Sequence, residues 1–385
     1  MRAQQLIPGA AALMLAALVL GASPAAAEPY MAVRSGAKCS DCHTNLDGGG
    51  KRTAFAHIHA HDILHDLQIL PIPQGVKGFN GEVNRYISIG GDLRVREDII
   101  FEDTPNAQGR VPRNKAFRSR VKSSDLEVQE ALAYLQVDLI PDMLQFYGDF
   151  NLNGGVTARE TVGILRNFMP WKYAEDVYLK AGRLYPAFGL RLWDDEAFVR
   201  SQTGFTFANP DEGAEIGIIP GPFFLATTIT NGAGGDRDVL TSVNGYGVWE
   251  DVPVVRNVLA GASYARQSNK RWVSAFYAGA NLWKFTYLAE FDLIDDRTVA
   301  TTNARPEYAA YGEVDWLLFD WLNVRGTFDF VKVSNDNSRV RYAIGLEPFI
   351  DRFLQPRIQY RINNGPANKP EQNQPELLFE LHMFF

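Results

Sequence analysis

The chain has 385 residues, a formal net charge of −7 and only two cysteines, and it carries 24 Phe, 15 Tyr and 7 Trp. The acidic balance excludes nucleic acid as a partner, because neutralising phosphates needs a basic face, and two cysteines exclude a disulfide-stapled fold. High aromatic content beside a mean hydropathy of −0.17 fits strands that alternate apolar with polar residues.

In chain order, residues 1–27 read as a secretory signal: a basic start at Arg2, an apolar run from Leu6 to Leu20, and small residues at Ala25-Ala26-Ala27. Cleavage is expected after Ala27. Past it, no stretch approaches the ~20 apolar residues of a membrane helix, so a membrane role survives only as a barrel.

Residues 28–80 differ from the rest and are expected to form a small module. They hold both cysteines, five of the six histidines, the run Gly48-Gly49-Gly50 and a proline-bounded exit at Pro71-Ile72-Pro73. Within the module, Cys39-Ser40-Asp41-Cys42-His43 is a C-x-x-C-H sequence, the spacing at which two thiols bond covalently to haem while the adjacent histidine ligates its iron. A zinc site would want a second pair of ligands at matching spacing, a thioredoxin-like pair would sit in a βαβ pattern, and a disulfide leaves His43 unexplained. One haem c is therefore the expected cofactor, with Cys39 and Cys42 as thioether residues and His43 as the proximal iron ligand.

For the distal ligand, His57, His61 and His65 would share one face of a helix at i, i+4 and i+8, with His59 turned away. His61 is the first candidate, and His57, His65, His59 and Met31 are alternatives. The same histidine stripe could instead bind a separate metal or be a solvated helix face.

From Gly81 to Phe385 the chain breaks into strand-like segments of about ten residues, the length of tilted membrane strands. Phe285, Tyr287, Ala289, Phe291 and Leu293 alternate with polar partners, and Leu322, Val324, Gly326, Phe328 and Phe330 oppose Asn323, Arg325, Thr327 and Asp329. The polar faces, including Glu290, Asp292, Asp315, Arg325, Arg357 and His382, would line a lumen. Short turns near Pro141, Pro170, Pro220, Asp251, Leu282, Phe319 and Asp351 alternate with loops near Asn106, Asn153, Leu192, Gly234, Asn269, Thr302, Asn335 and Asn368. The count closes at sixteen strands if Glu160–Phe168 is a strand rather than a short helix. The longest loop, about Tyr185 to Asp211, is either an inward constriction or an outer cap. The expected fold is thus all-β: a transmembrane antiparallel barrel of about sixteen strands, with the haem module as a lumen plug or a periplasmic appendage.

The last residues, Leu377, Phe379, Leu381, Met383 and Phe385, alternate with Leu378, Glu380, His382 and Phe384, an ending similar to the recognition signal of outer-membrane barrels. A signal peptide, one early C-x-x-C-H and a barrel ending in Phe together resemble the fused outer-membrane cytochrome-porins, which include the iron-oxidising outer-membrane cytochromes of bacteria. Gly182-Arg183-Leu184-Tyr185-Pro186-Ala187-Phe188-Gly189-Leu190-Arg191 also looks porin-like. The resemblance implies a location in the bacterial outer membrane, in contact with its lipid. It implies an electron conduit from an extracellular donor, ferrous iron first among the candidates, to a periplasmic carrier such as a soluble cytochrome. A haem in the lumen would supply a redox stepping stone across the ~30 Å hydrocarbon core, where lipid offers none. The alternative reading is a solute-uptake porin with an appended periplasmic haem module.

Overall fold

The computed structural model describes residues 28–57, 65–71, 79–102, 120–168, 177–232, 239–268, 270–297, 305–334, 338–351, 353–366 and 369–385. A three-residue strand, β1 (Glu82–Asn84), precedes β2 (Ile87–Glu102), β3 (Arg120–Ile140), β4 (Leu144–Asn151), β5 (Thr157–Arg166), β6 (Val177–Leu184), β7 (Asp211–Ile218), β8 (Phe223–Thr230) and β9 (Leu240–Glu250). Then come β10 (Asn257–Gln267), β11 (Arg271–Leu282), β12 (Phe285–Asp296), β13 (Pro306–Phe319), β14 (Leu322–Val333), β15 (Arg339–Pro348), β16 (Leu354–Asn364) and β17 (Glu376–Phe384). Each strand from β2 onward pairs antiparallel with the next, and β17 pairs back onto β2, so sixteen strands close a barrel among the described residues. The segment around Glu160 is the strand β5 that this count requires.

Alternation runs in the direction expected for lipid outside and polar groups inside. Phe276, Ile216 and Ile344 are exposed outward, whereas Lys180, Glu215, Arg325, Arg361 and His382 are buried inward. A soluble protein would reverse this polarity, so the exterior is a lipid-facing surface. No helix among the described residues is long and apolar enough to cross a membrane. Near the short turns, Phe223 meets Trp249 and Phe285 stacks on Trp316. Tyr308 lies against Phe291 and Phe330 toward the other rim. These pairs make the aromatic girdles that settle at both interfaces of a membrane barrel.

The short turns are tight because their residues accept left-handed backbone: φ is +63° at Asp142, +53° at Gly221, +52° at Asp251 and +54° at Trp283. Two connections depart from expectation. β10 and β11 stay paired out to Gln267 and Arg271, so three residues separate the paired ends where a long loop was expected; Asn269 itself lies outside the described residues. The β2–β3 hairpin reaches well beyond ten residues, with Glu102 paired to Arg120. Residues 120–128 of β3 are exposed on nearly every side chain, since β4 pairs with β3 only from Leu132 onward, while β2 stays paired with β17 as far as Ile100. The expected turn at Pro170 and the loops near Asn106, Gly234, Thr302, Asn335 and Asn368 lie wholly or partly outside the described residues.

Residues 28–57 sit inside the barrel. Helix α1 (Pro29–Ser35) begins with Pro29 at its first turn, where no N–H is needed, and ends at Gly36 with φ +78°. Its Tyr30, Met31 and Val33 belong to the same buried apolar cluster as the inward residues of the strands, so this segment has no core of its own. Val33 packs where Gly279 of β11 carries no side chain; a Cβ there would come within 2.6 Å of it. The long loop between β6 and β7, carrying a one-turn helix at Phe198–Ser201, also folds inward. Its backbone N–H groups at Gly189, Leu190 and Phe198 donate to Ser263, Glu290 and Asp329 on three different strands.

Candidate functional site

Cys39–Cys42 forms a single helical turn, which places the two cysteines at i and i+3 on one side. Asp41 fixes its start by accepting from the Lys38 N–H at 2.9 Å, and the His43 N–H closes it on the Cys39 carbonyl at 3.0 Å. The chain then turns extended, and His43 pairs with Arg52 across a small hairpin. At its tip, Gly48, Gly49 and Gly50 all have positive φ, at +94°, +77° and +67°, a run that side chains would strain. A Cβ on Gly50 would land 2.0 Å from the Tyr147 hydroxyl, and one on Gly48 would stand 3.2 Å from the Cys39 Cβ. The glycines thus let the tip press against the barrel wall and against Cys39 together.

Polar ties from many strands hold the hairpin. Lys180 on β6 lies 2.7 Å from Asp47 and 3.0 Å from Glu215, Asn45 donates to Glu160 at 2.8 Å, and Thr44 donates to Gln136 at 2.9 Å. The Cys39 and Lys51 N–H groups donate to the Tyr246 and Tyr147 hydroxyls, each at 3.1 Å. At the start of the described chain, the Glu28 carboxylate is clamped by the guanidiniums of Arg325 and Arg357.

Burial pushes the Cys42 thiol up to about 12, with Cys39 and Asp41 adding to the rise and Arg52 opposing it. The Cys39 thiol is raised by burial as well. Protonated thiols do not suit a redox-active thiolate pair. Burial and the nearby Arg52 charge push His43 down to about 3, against the pull of backbone hydrogen bonds with Gly50 and Gly49. Its ring is therefore neutral, the form that ligates a metal, and its buried Nδ1 has no hydrogen-bond partner.

His43 lines a cavity of about 50 Å³ together with Gly49, Gly50, Asp92, Trp193, His382 and the guanidiniums of Arg52, Arg94, Arg159, Arg191 and Arg357. The turn and the cavity together supply the groups a haem needs: two thiols on one turn, an adjoining neutral imidazole with an open nitrogen, and guanidiniums suited to carboxylate side arms. The cysteines themselves are not among the cavity-lining residues, and Arg94, Arg159 and Arg357 are already paired with Asp92, Glu130 and Glu380. The free space is water-sized, so a macrocycle would take volume now filled by side chains of the inward loop such as Arg191 and Trp193.

The other histidine candidates are scattered. His57 ends a helical turn from Ala54 and is buried, with Nε2 3.8 Å from where a Cβ of Gly81 would stand. His65 is exposed in an irregular stretch, not on a helix, and two residues further on the Leu67 N–H donates to the Phe349 carbonyl. The expected stripe therefore does not extend to His65. His59 and His61 lie outside the described residues. Met31 packs in the apolar cluster around α1. Among the described residues, no group of three His, Cys, Asp or Glu is arranged to hold a metal ion directly. Sequence reasoning placed His382 in the lumen lining without connecting it to His43; its one signal was an inward position on the last strand.

No protein-family model matches the chain, and no curated protein matches it. Solved structures do. A loop-deletion mutant of OmpT, an outer-membrane protein of Vibrio cholerae, superposes with a TM-score of 0.54 at 8% identity, covering 78% of this chain and 99% of that one. A porin mutant from Rh. blastica gives 0.51 at 10% identity, covering 78% and 100%. The fold is that of an outer-membrane porin. At such identities the likeness concerns the barrel alone, and the cysteine turn inside it has to be understood from its own chemistry.

Proposed function

We propose that this protein is an outer-membrane electron conduit whose lumen segment carries one covalent haem c, bonded to Cys39 and Cys42 and ligated by His43. The observation that supports this reading is the position of the C-x-x-C-H turn: it lies within the barrel wall, beside a cavity rich in guanidiniums. Bound there, the haem would supply a one-electron carrier inside the membrane's thickness. The chain's part is to hold and insulate it: Tyr246 and Tyr147 fix the turn, the arginines face the negative side arms, and the inward loop restricts water. By the resemblance given above, ferrous iron outside is the donor and a soluble periplasmic cytochrome the acceptor. Iron oxidation outside the cell would also keep insoluble ferric products out of it.

The test has two stages. The membrane-fraction band at the mature mass is expected to retain haem stain after denaturation, and Cys39→Ala with Cys42→Ala to abolish it. An unstained wild-type band overturns the reading. Proteoliposomes loaded with a haem-protein acceptor are then expected to show its reduction by external ferrous iron with little solute leak. Leak without electron transfer would favour the solute-uptake porin, whose support is the porin-like barrel; against it stands the filling of the lumen by residues 28–57 and the inward loop.

A further inference from the structure

Two histidines from opposite ends of the chain line one cavity: His43 in the lumen hairpin and His382 on β17. Both are buried, at 5% and 0% exposure, and in each the ring Nδ1 has no hydrogen-bond partner. An unpaired ring nitrogen in such a place is costly unless something else takes it up. We propose that His382 is the second axial ligand of the haem held at Cys39, Cys42 and His43; the inference rests on the haem reading above.

The surroundings of His382 set its tautomer. Its Nε2 lies 2.9 Å from Asp92 Oδ2, and Asp92 Oδ1 is paired with Arg94 at 3.2 Å. A carboxylate paired with a guanidinium is an acceptor, so Nε2 carries the proton and the lone pair is left on Nδ1. Metal-ligating histidines are oriented in this way, with one ring nitrogen donating to a carboxylate and the other facing the metal. The ring is fixed from the side by Phe384, whose centroid is 4.5 Å away. Phe384 in turn receives the Arg52 guanidinium at 4.4 Å, and Arg52 is the backbone partner of His43. A continuous set of contacts thus ties the two imidazoles together across the seam between lumen segment and barrel. Ligation by His382 would couple the segment to the strand that closes the barrel, and two imidazoles would hold the potential below that of a His/Met pair.

The experiment uses the full chain in detergent, with haem attachment checked by staining and barrel folding by heat-dependent gel mobility. The wild type is expected to show the low-spin ferric spectrum of two nitrogen ligands. In His382→Ala the stained band remains and the spectrum turns high-spin, with free imidazole restoring the low-spin form. His382→Met is expected to give the near-red absorption of methionine ligation and a raised potential, and it covers the case in which the alanine variant misfolds. His57→Ala, His61→Ala, His65→Ala and Met31→Ala leave the low-spin spectrum unchanged. A low-spin spectrum that survives in His382→Ala, or one lost in His61→Ala, overturns the proposal while leaving the haem reading intact. A wild-type band without stain overturns the haem reading itself.

Discussion

Lys180 shows how much depends on single side chains in this lumen. Its ammonium is fully buried on β6 between Asp47 of the lumen hairpin and Glu215 of β7. Removing one partner of such a group strands the others, at a cost of about 3–5 kcal/mol. Lys180→Met is therefore expected to loosen the hairpin, read as new protease cleavage between residues 44 and 53 in folded barrels; an unchanged digest would contradict the clamp. Gly50→Ala should destabilise through both its positive φ, at ~1–3 kcal/mol, and its collision with the Tyr147 hydroxyl. Adding Tyr147→Phe should relieve the collision but leave the backbone strain, and it gives up the acceptor of the Lys51 N–H, so recovery is expected to be partial, as measured by the temperature at which gel mobility shifts. The C-x-x-C-H turn was legible because its chemistry is local, five residues in a row. The Lys180–Asp47 and Glu28–Arg325 pairs were not, because each joins positions more than a hundred residues apart and depends on the fold to bring them together.

At the scale of elements, the inward loop carries the second set of lumen contacts. Asp194 meets Arg341 and Arg361, each at 3.1 Å, Glu196 pairs with Arg361 and with Arg96 at 3.3 Å, and Phe188 stacks on Phe205 with centroids 4.0 Å apart. Nothing in the loop's own residues distinguished a constriction from a cap, since its partners lie on strands that include β2, β10, β12, β14, β15 and β16. The strands were easier to read: period-two alternation located them and assigned their faces, because lipid and lumen impose opposite demands on neighbouring residues. The far end of β3 escaped that logic, since nearly all side chains of residues 120–128 are exposed whichever face they lie on. Deleting residues 192–206 is expected to raise single-channel conductance in planar bilayers, and deleting 29–57 to raise it further. Equal conductance in all three barrels would show that neither element blocks the lumen.

For the whole molecule, the closed wall and the filled interior share one apolar cluster, and ion pairs such as Lys180–Asp47 and Arg325–Glu28 join the two. The barrel should therefore respond to loss of its interior. A chain lacking residues 29–57 is expected to keep its strand content but to lose heat-dependent mobility at a lower temperature than the intact protein. Identical transition temperatures would mean that wall and interior are energetically independent. The sequence made the wall and the C-x-x-C-H module visible and left a lumen plug and a periplasmic appendage as equal alternatives, because nesting arises from contacts with strands all round the barrel.

The nesting also imposes a timetable. Cys39 sits against Gly48, Tyr246 and the wall of a ring of hydrogen-bonded strands, a place that a maturation enzyme large enough to deliver haem has no way to enter. If the cofactor is attached as proposed, the thioether bonds must form while the chain is still open in the periplasm, and strand closure must wait. In a pulse-chase experiment, haem-stained chains should appear before the heat-sensitive folded form does. Folded, unstained chains that later acquire haem would refute that order. A cell starved of haem would then accumulate barrels whose interiors can never be completed.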